Sequence, residues 1–121
     1  RLFANCRSSG EGGGTAIYIH TKHQVEERSD LGNDDIEATI VQINVKTKSG
    51  NKNIFVGAIY RPPNSVNSCF LMNMEKILST IEDEKKLTIL AGDFNYNLLP
   101  AHTDRCTIDF SNLMTSYGLF R

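Results

Sequence analysis

Between residues 54 and 92 the hydrophobic pattern changes period twice, and that change limits the folds open to this chain. Ile54-Phe-Val-Gly-Ala-Ile-Tyr60 is apolar on both faces and rich in β-branched and aromatic residues, as expected of a strand in the interior of a sheet. Pro62 and Pro63 stop it, because neither can donate to a ladder. From about Ser68 to Glu84, Phe70, Leu71, Met74, Ile77, Leu78 and Ile81 recur at i, i+1, i+4, i+7, i+8 and i+11. That is the single stripe of an amphipathic helix, with Ser68 as its expected N-cap. Leu87-Thr-Ile-Leu-Ala-Gly92 then reads as a second buried strand. Strand, helix and strand in that order form a right-handed crossover unit when the strands are parallel. The carboxyl ends of both strands then meet at one edge of the sheet.

That edge is polar. Tyr60 ends the first strand, and Asp93 and Asn95 follow the second. In an extended chain, side chains two apart share a face, so Asp93 and Asn95 should stand side by side while Phe94 points into the core. A carboxylate there can hold or deprotonate a water, and a carboxamide can donate two hydrogen bonds to a phosphate oxygen. Gly-Asp-x-Asn is also ordinary turn chemistry, since Asp and Asn bond their own backbone and tolerate left-handed conformations. The convergence of Tyr60 with Asp93 and Asn95 at one edge favours the functional reading.

The remaining segments supply further strands and one more helix. Gly12-Gly13-Gly14 precedes a strand, Thr15–His20, and lacks a following Gly-Lys-Ser/Thr. It therefore reads as a turn or a close backbone approach, not a phosphate-binding loop. Residues 21–35 carry much charge and no period, the pattern of a solvated connection. In Ile36–Lys46 the apolar positions shift from even (36, 38, 40) to odd (41, 43, 45), as a β-bulge would produce. A polar turn over 47–53 joins this strand to 54–60 as an antiparallel hairpin. After a polar loop at 101–107, a short helix over 109–118 presents Phe110, Leu113, Met114 and Tyr117, with Gly118 as its stop. His20 and His23 lack a partner pair for zinc. His102 and Asp104 read as part of a solvated loop rather than as an acid/base pair.

At 121 residues, 40% of them apolar and 22% charged, the chain is one globular domain's worth. Its net charge of −1 argues against a pure nucleic-acid-binding domain. It does not argue against a nuclease, whose metal supplies positive charge locally. Cys6, Cys69 and Cys106 suggest neither a disulfide framework nor a CxxC site, which fits a reducing intracellular compartment. No apolar run reaches membrane length, so no membrane partner is expected.

Tyr60-Arg-Pro-Pro-Asn64 and Gly92-Asp-Phe-Asn95, preceded in order by the Gly12–Tyr18 strand, resemble the endonuclease/exonuclease/phosphatase (DNase I-like) family. More narrowly, the chain looks like the endonuclease region of non-LTR (LINE-type) retrotransposon polyproteins. The three motifs span residues 12–99. The resemblance implies an α/β (α+β) fold, a four-layer α/β/β/α sandwich with a mixed sheet and packing helices. It also implies phosphodiester hydrolysis with magnesium, or manganese in its place, on a DNA partner in the nucleus. Asp93 would orient or deprotonate the attacking water, Asn95 would stabilise the phosphoryl transition state, and Tyr60 would contact the scissile phosphate. Arg61 and Asn64 would touch the nucleic acid. In the family, an Asn and a Glu that help bind the metal precede the glycine run, and a Ser-Asp-His motif follows. Neither is found here, so residues 1–121 read as one partial, central domain. Its principal metal ligands are expected in flanking segments of the same polyprotein, and the chain alone is expected to be inactive and prone to association. A phosphatase of the same superfamily and a non-catalytic remnant acting as a binding module stay open as alternatives.

Overall fold

The computed structural model describes residues 1–6, 12–32, 35–99 and 104–120. In chain order these form β1 (Leu2–Asn5), β2 (Thr15–Tyr18), β3 (Gln24–Glu27), a 3-10 turn (Ser29–Leu31), β4 (Glu37–Thr47), β5 (Gly50–Tyr60), α1 (Asn67–Glu84), β6 (Thr88–Asp93) and α2 (Arg105–Ser116). A four-stranded sheet runs β3-β4-β5-β6, antiparallel except for the parallel β5/β6 pair, and β1 and β2 form a separate antiparallel pair. Ile40, Phe55 and Ile59 pack against α1 and α2 on one face of the large sheet. On the other, Val41, Ile43, Val56 and Val25 pack against Phe3, Ile17 and Ile19 of the small sheet and its flank. The described residues thus build three layers, α/β/β, of a mixed α+β sandwich.

The crossover unit forms as its periodicity demands. Five members of the α1 stripe, Phe70, Met74, Ile77, Leu78 and Ile81, are buried, and Leu71 is half-buried. Each fully buried side chain of this size stabilises by about 1.5–3 kcal/mol before the cost of ordering it. The helix begins at Asn67 behind Val66, with no side-chain cap, so Ser68 lies inside the first turn and is not the N-cap. β5 sits between β4 and β6, in the interior as expected.

Five further expectations are corrected. β4 pairs with β5 without interruption from Glu37↔Tyr60 to Thr47↔Gly50, so there is no bulge. The parity change arises because β4 is buried on both faces, Ile40 beneath the helices and Val41 beneath the small sheet. The hairpin turn is correspondingly tighter, only Lys48-Ser49. Residues 21–35 are not a bare connection: β3 turns Val25 inward, and Leu31 is buried in the helix-side core. One apolar residue in a four-residue charged strand leaves no period to read. The second helix begins at Arg105, because the Asp104 carboxylate caps it, accepting from Thr107 N at 3.0 Å and Thr107 Oγ1 at 2.7 Å. The expected His102–Asp104 loop falls partly outside the described residues, at His102. Finally, β6 is not buried. Among the described residues it has one strand neighbour, and Leu87 and Ile89 are 70% and 51% exposed.

At the opposite end of the sheet from Tyr60, charges tie the elements together. Arg28 bonds Asp30 and Glu84, Lys86 bonds Glu84 at 2.9 Å, and Gln42 accepts from both cations. Both cations lie over the Phe55 ring, at 5.3 and 5.0 Å. The bonds from Arg28 and then Lys86 hold the Glu84 carboxyl down to about 2, from an ordinary 4.5. No described helix is long and apolar enough to cross a membrane.

Two outcomes follow from this architecture. The stability that Glu84 contributes is complete above its unfolded value near 4.5 and is lost as pH falls through about 2. Thermal melts should therefore drop in that window, and Glu84→Gln should flatten the drop; an unchanged pH profile in the variant contradicts the assignment. Beside β6 runs an apolar groove lined by Ile89, Leu90, Phe94, Phe110, Met114 and Leu119. An open strand edge next to exposed apolar surface favours association. Sedimentation velocity should show mass rising with concentration, and a single monomeric boundary at every concentration contradicts this.

Candidate active site

The site is built by the parallel pairing of β5 and β6. The register sets Ala58 opposite Ala91, Ile59 opposite Gly92 and Tyr60 opposite Asp93, and Arg61 N–H donates to the Asp93 carbonyl at 2.8 Å. The strands approach so closely at Gly92 that a Cβ there would stand 1.8 Å from the Ile59 carbonyl oxygen. Only glycine permits this contact. Because side chains alternate, Phe55 and Ile59 face the helices, and Tyr60 faces the small-sheet side with Val56 and Ala58. Asp93, directly across from Tyr60, shares that face. The structure therefore brings these two residues together at the carboxyl ends of their strands.

Asn95 arrives differently from the extended pairing its spacing suggested. β6 ends at Asp93, and Asn95 adopts a left-handed conformation, φ +51°. Its N–H donates to Asp93 Oδ1 at 3.1 Å, the local bond of an Asx turn, and its Nδ2 donates to the Arg61 carbonyl at 2.6 Å. The carboxamide is turned back toward the end of β5. One of its two N–H groups serves that bond, and Asp93 retains its second carboxylate oxygen. Phe94 points toward the helix-side core as expected, 5.1 Å from Phe110 between ring centres. Tyr96 stacks on Phe110 at 4.5 Å and donates its hydroxyl to Asn67 Oδ1, fastening the loop to both helices. Burial pushes the Tyr96 phenol above its ordinary value, with Arg61 opposing.

Arg61 lies one residue beyond Tyr60 and therefore on the other face. It is only 8% exposed, and its guanidinium sits 4.2 Å from the Tyr96 ring centre. Asn64 is exposed in the turn after Pro62-Pro63, where Ser65 N–H donates to the Pro62 carbonyl at 3.1 Å. Strand alternation was the signal that separates Arg61 from Tyr60.

A residue the sequence reading did not select joins the row. Glu37 on β4 is opposite Tyr60, so Glu37, Tyr60 and Asp93 lie side by side on one face across three strands. Adjacent strands are about 4.8 Å apart, which sets the two carboxylate-bearing strands about 10 Å from one another. Glu37 Oε1 accepts from Gly14 N at 3.0 Å, so the triple-glycine turn is tied to this row. The three glycines have φ of +77°, +73° and +94°, as a tight turn requires. Counting back along the hairpin from a two-residue turn would have paired Glu37 with Tyr60.

Magnesium asks for near-octahedral oxygen coordination. Among the described residues no three His, Cys, Asp or Glu side chains are grouped to hold a metal, and Asp93 and Glu37 are separated by Tyr60. These residues alone do not make the divalent-metal site that the family resemblance implies.

No protein-family model and no curated protein matches the chain. Among solved structures, the endonuclease domain of TRAS1, a telomere-specific non-LTR retrotransposon, matches with a TM-score of 0.69 at 16% identity. The chain has a DNase I-like fold. The match covers 98% of this chain and 52% of that one, so the chain spans about half the length of its structural neighbour.

Within this fold the Gly92 contact positions Asp93. Gly92→Ala should cost about 1–3 kcal/mol or more, the range for overpacking against atoms that cannot move aside. At Gly57 the nearest obstacle is the flexible Leu90 Cδ2, at 2.7 Å, so Gly57→Ala should cost less. Urea denaturation of both variants checks the order, and equal losses contradict it.

Proposed function

We propose that this chain is part of an endonuclease that hydrolyses phosphodiester bonds in DNA, with Tyr60, Asp93 and Asn95 at its reacting centre. The observation that carries this reading is the Tyr60↔Asp93 pairing at the carboxyl ends of two parallel strands, within a fold matched by a retrotransposon endonuclease domain. Asp93, its Oδ1 fixed by Asn95 N–H, orients or deprotonates a water with its other oxygen. The second N–H of Asn95 and the Tyr60 hydroxyl donate to the phosphoryl oxygens, where charge grows in the transition state. Asn64, exposed in the adjoining turn, contacts the nucleic-acid backbone.

Magnesium or manganese, when bound, would neutralise charge on the scissile phosphate. The described residues do not supply a full ligand set for it, so residues 1–121 alone are expected to be nearly inactive, with the remaining ligands in flanking segments of the same polypeptide.

The test compares the protein encoded by the whole reading frame around residues 1–121 with the 121-residue chain, on supercoiled plasmid in magnesium. The longer protein should nick DNA, and Asp93→Ala should lower kcat by about 10²–10⁴-fold, the usual contribution of a general base. Asn95→Ala and Tyr60→Phe should each cost about 10²–10³-fold, as for the loss of one transition-state donor. The short chain should stay near background. Full activity in Asp93→Ala, or hydrolysis of p-nitrophenyl phosphate in place of DNA, contradicts the proposal. Asp93-dependent nicking by the short chain contradicts the incompleteness of its site.

A further inference from the structure

A buried cation sits behind the proposed site. Arg61 is 8% exposed, yet no carboxylate among the described residues pairs with it. Its Nη1 donates to the Asn95 carbonyl at 3.1 Å, with a longer contact to the Phe94 carbonyl at 3.4 Å. Its guanidinium lies over Tyr96 at 4.2 Å and over Phe70 at 5.8 Å, and its Nε is buried without a partner. The backbone of the same residue holds the same loop from the other side. Arg61 N–H donates to the Asp93 carbonyl at 2.8 Å, and the Arg61 carbonyl accepts from Asn95 Nδ2 at 2.6 Å. One residue thus grips Asp93, Phe94 and Asn95 through its main chain and side chain together.

A charged group is costly to bury without a counter-charge, and carbonyl dipoles and ring faces compensate only when the geometry is fixed. The gripped turn also contains Asn95 in a left-handed conformation, which the isolated chain would leave readily. Arginine suits this role because its planar group can stack on a ring while donating in its own plane, and lysine cannot do both.

We propose that Arg61 is a positioning residue for the Asp93/Asn95 pair, acting through the Phe94 and Asn95 carbonyls and the Tyr96 ring, and not a contact to nucleic acid. The proposal rests on the reading that Asp93 and Asn95 form the reacting centre, but its structural part can be tested apart from that reading.

The experiment is NMR of the 121-residue chain, joined to a DNA titration across salt concentrations. In the wild type, the Arg61 guanidinium protons should exchange slowly and give separate Nη signals, because rotation is blocked by the clamp. Signals averaged by free rotation overturn the proposal, and this measurement needs no variant to fold. In Arg61→Met and Arg61→Lys, the left-handed signature of Asn95 (its backbone coupling and carbon shifts) should be lost while signals of the remote Val41 and Phe55 persist. Retention in Arg61→Met, or full recovery in Arg61→Lys, overturns it. The slope of log affinity against log salt should be the same in both variants as in the wild type. A slope smaller by about 1 in Arg61→Met, restored in Arg61→Lys, would instead mark a direct phosphate contact. If the wild-type chain binds no DNA, that bears on the nuclease reading, and the Arg61 and Asn95 signals still decide the proposal.

Discussion

The close approach of β5 and β6 at Ile59 and Gly92 is the constraint on which the rest depends. With any side chain at residue 92 the strands would separate, and the bond from Arg61 N–H to the Asp93 carbonyl would go with them. That bond fixes the register, the register places Tyr60 beside Asp93, and the end of β6 sets where the Asn95 turn begins. The site is therefore a consequence of sheet geometry before it is a matter of side-chain chemistry.

The sheet can hold such a contact because both its faces are occupied over β4 and β5. Phe55 and Ile59 lie under α1 on one side, and Val41 and Val56 under the small sheet on the other. Between the two sheets the buried Thr39 hydroxyl shares a hydrogen bond with Thr15 at 2.7 Å and accepts from Asn5 Nδ2 at 2.9 Å. Those bonds join the small sheet to β4 two residues from Glu37. The triple-glycine turn and the Glu37–Tyr60–Asp93 row are thereby held to one framework. β6, by contrast, is packed on its helix side through Leu90 and bare on the side of Ile89. The candidate site lies where the covered part of the sheet meets its open edge.

Much of this was legible in the sequence wherever a pattern is local and repeats. The α1 stripe, the interior character of β5 and the order strand, helix, strand follow from periodicity, and they suffice to bring Tyr60 and Asp93 to one edge. What was not legible depends on partners distant in the chain. The parity change in β4 has the same appearance for a bulge and for burial on two faces, and only the small sheet distinguishes them. β3 carries too few residues to show a period, and β6 looks buried from its composition because nothing local says that it has one strand neighbour among the described residues. Asn95 illustrates a competition between rules, since strand alternation and Asx-turn chemistry both fit Gly-Asp-x-Asn and the second prevails once β6 ends at Asp93. Arg61 follows a simpler rule: its motif suggests a nucleic-acid contact, and alternation from Tyr60 assigns its side chain to the helix face, where it is buried over Tyr96.

The central claim, that the β5/β6 register sets Tyr60 across from Asp93, has a direct measurement. In uniformly labelled protein, scalar coupling through the hydrogen bond should connect the Arg61 amide nitrogen to the Asp93 carbonyl carbon, with a matching connection from Phe55 to Leu87 at the other end of the pair. Couplings between those partners establish the register. Couplings shifted to Gly92 or Phe94, or strands that give none, would mean that Tyr60 and Asp93 do not face one another, and the account of the site would fall with the register.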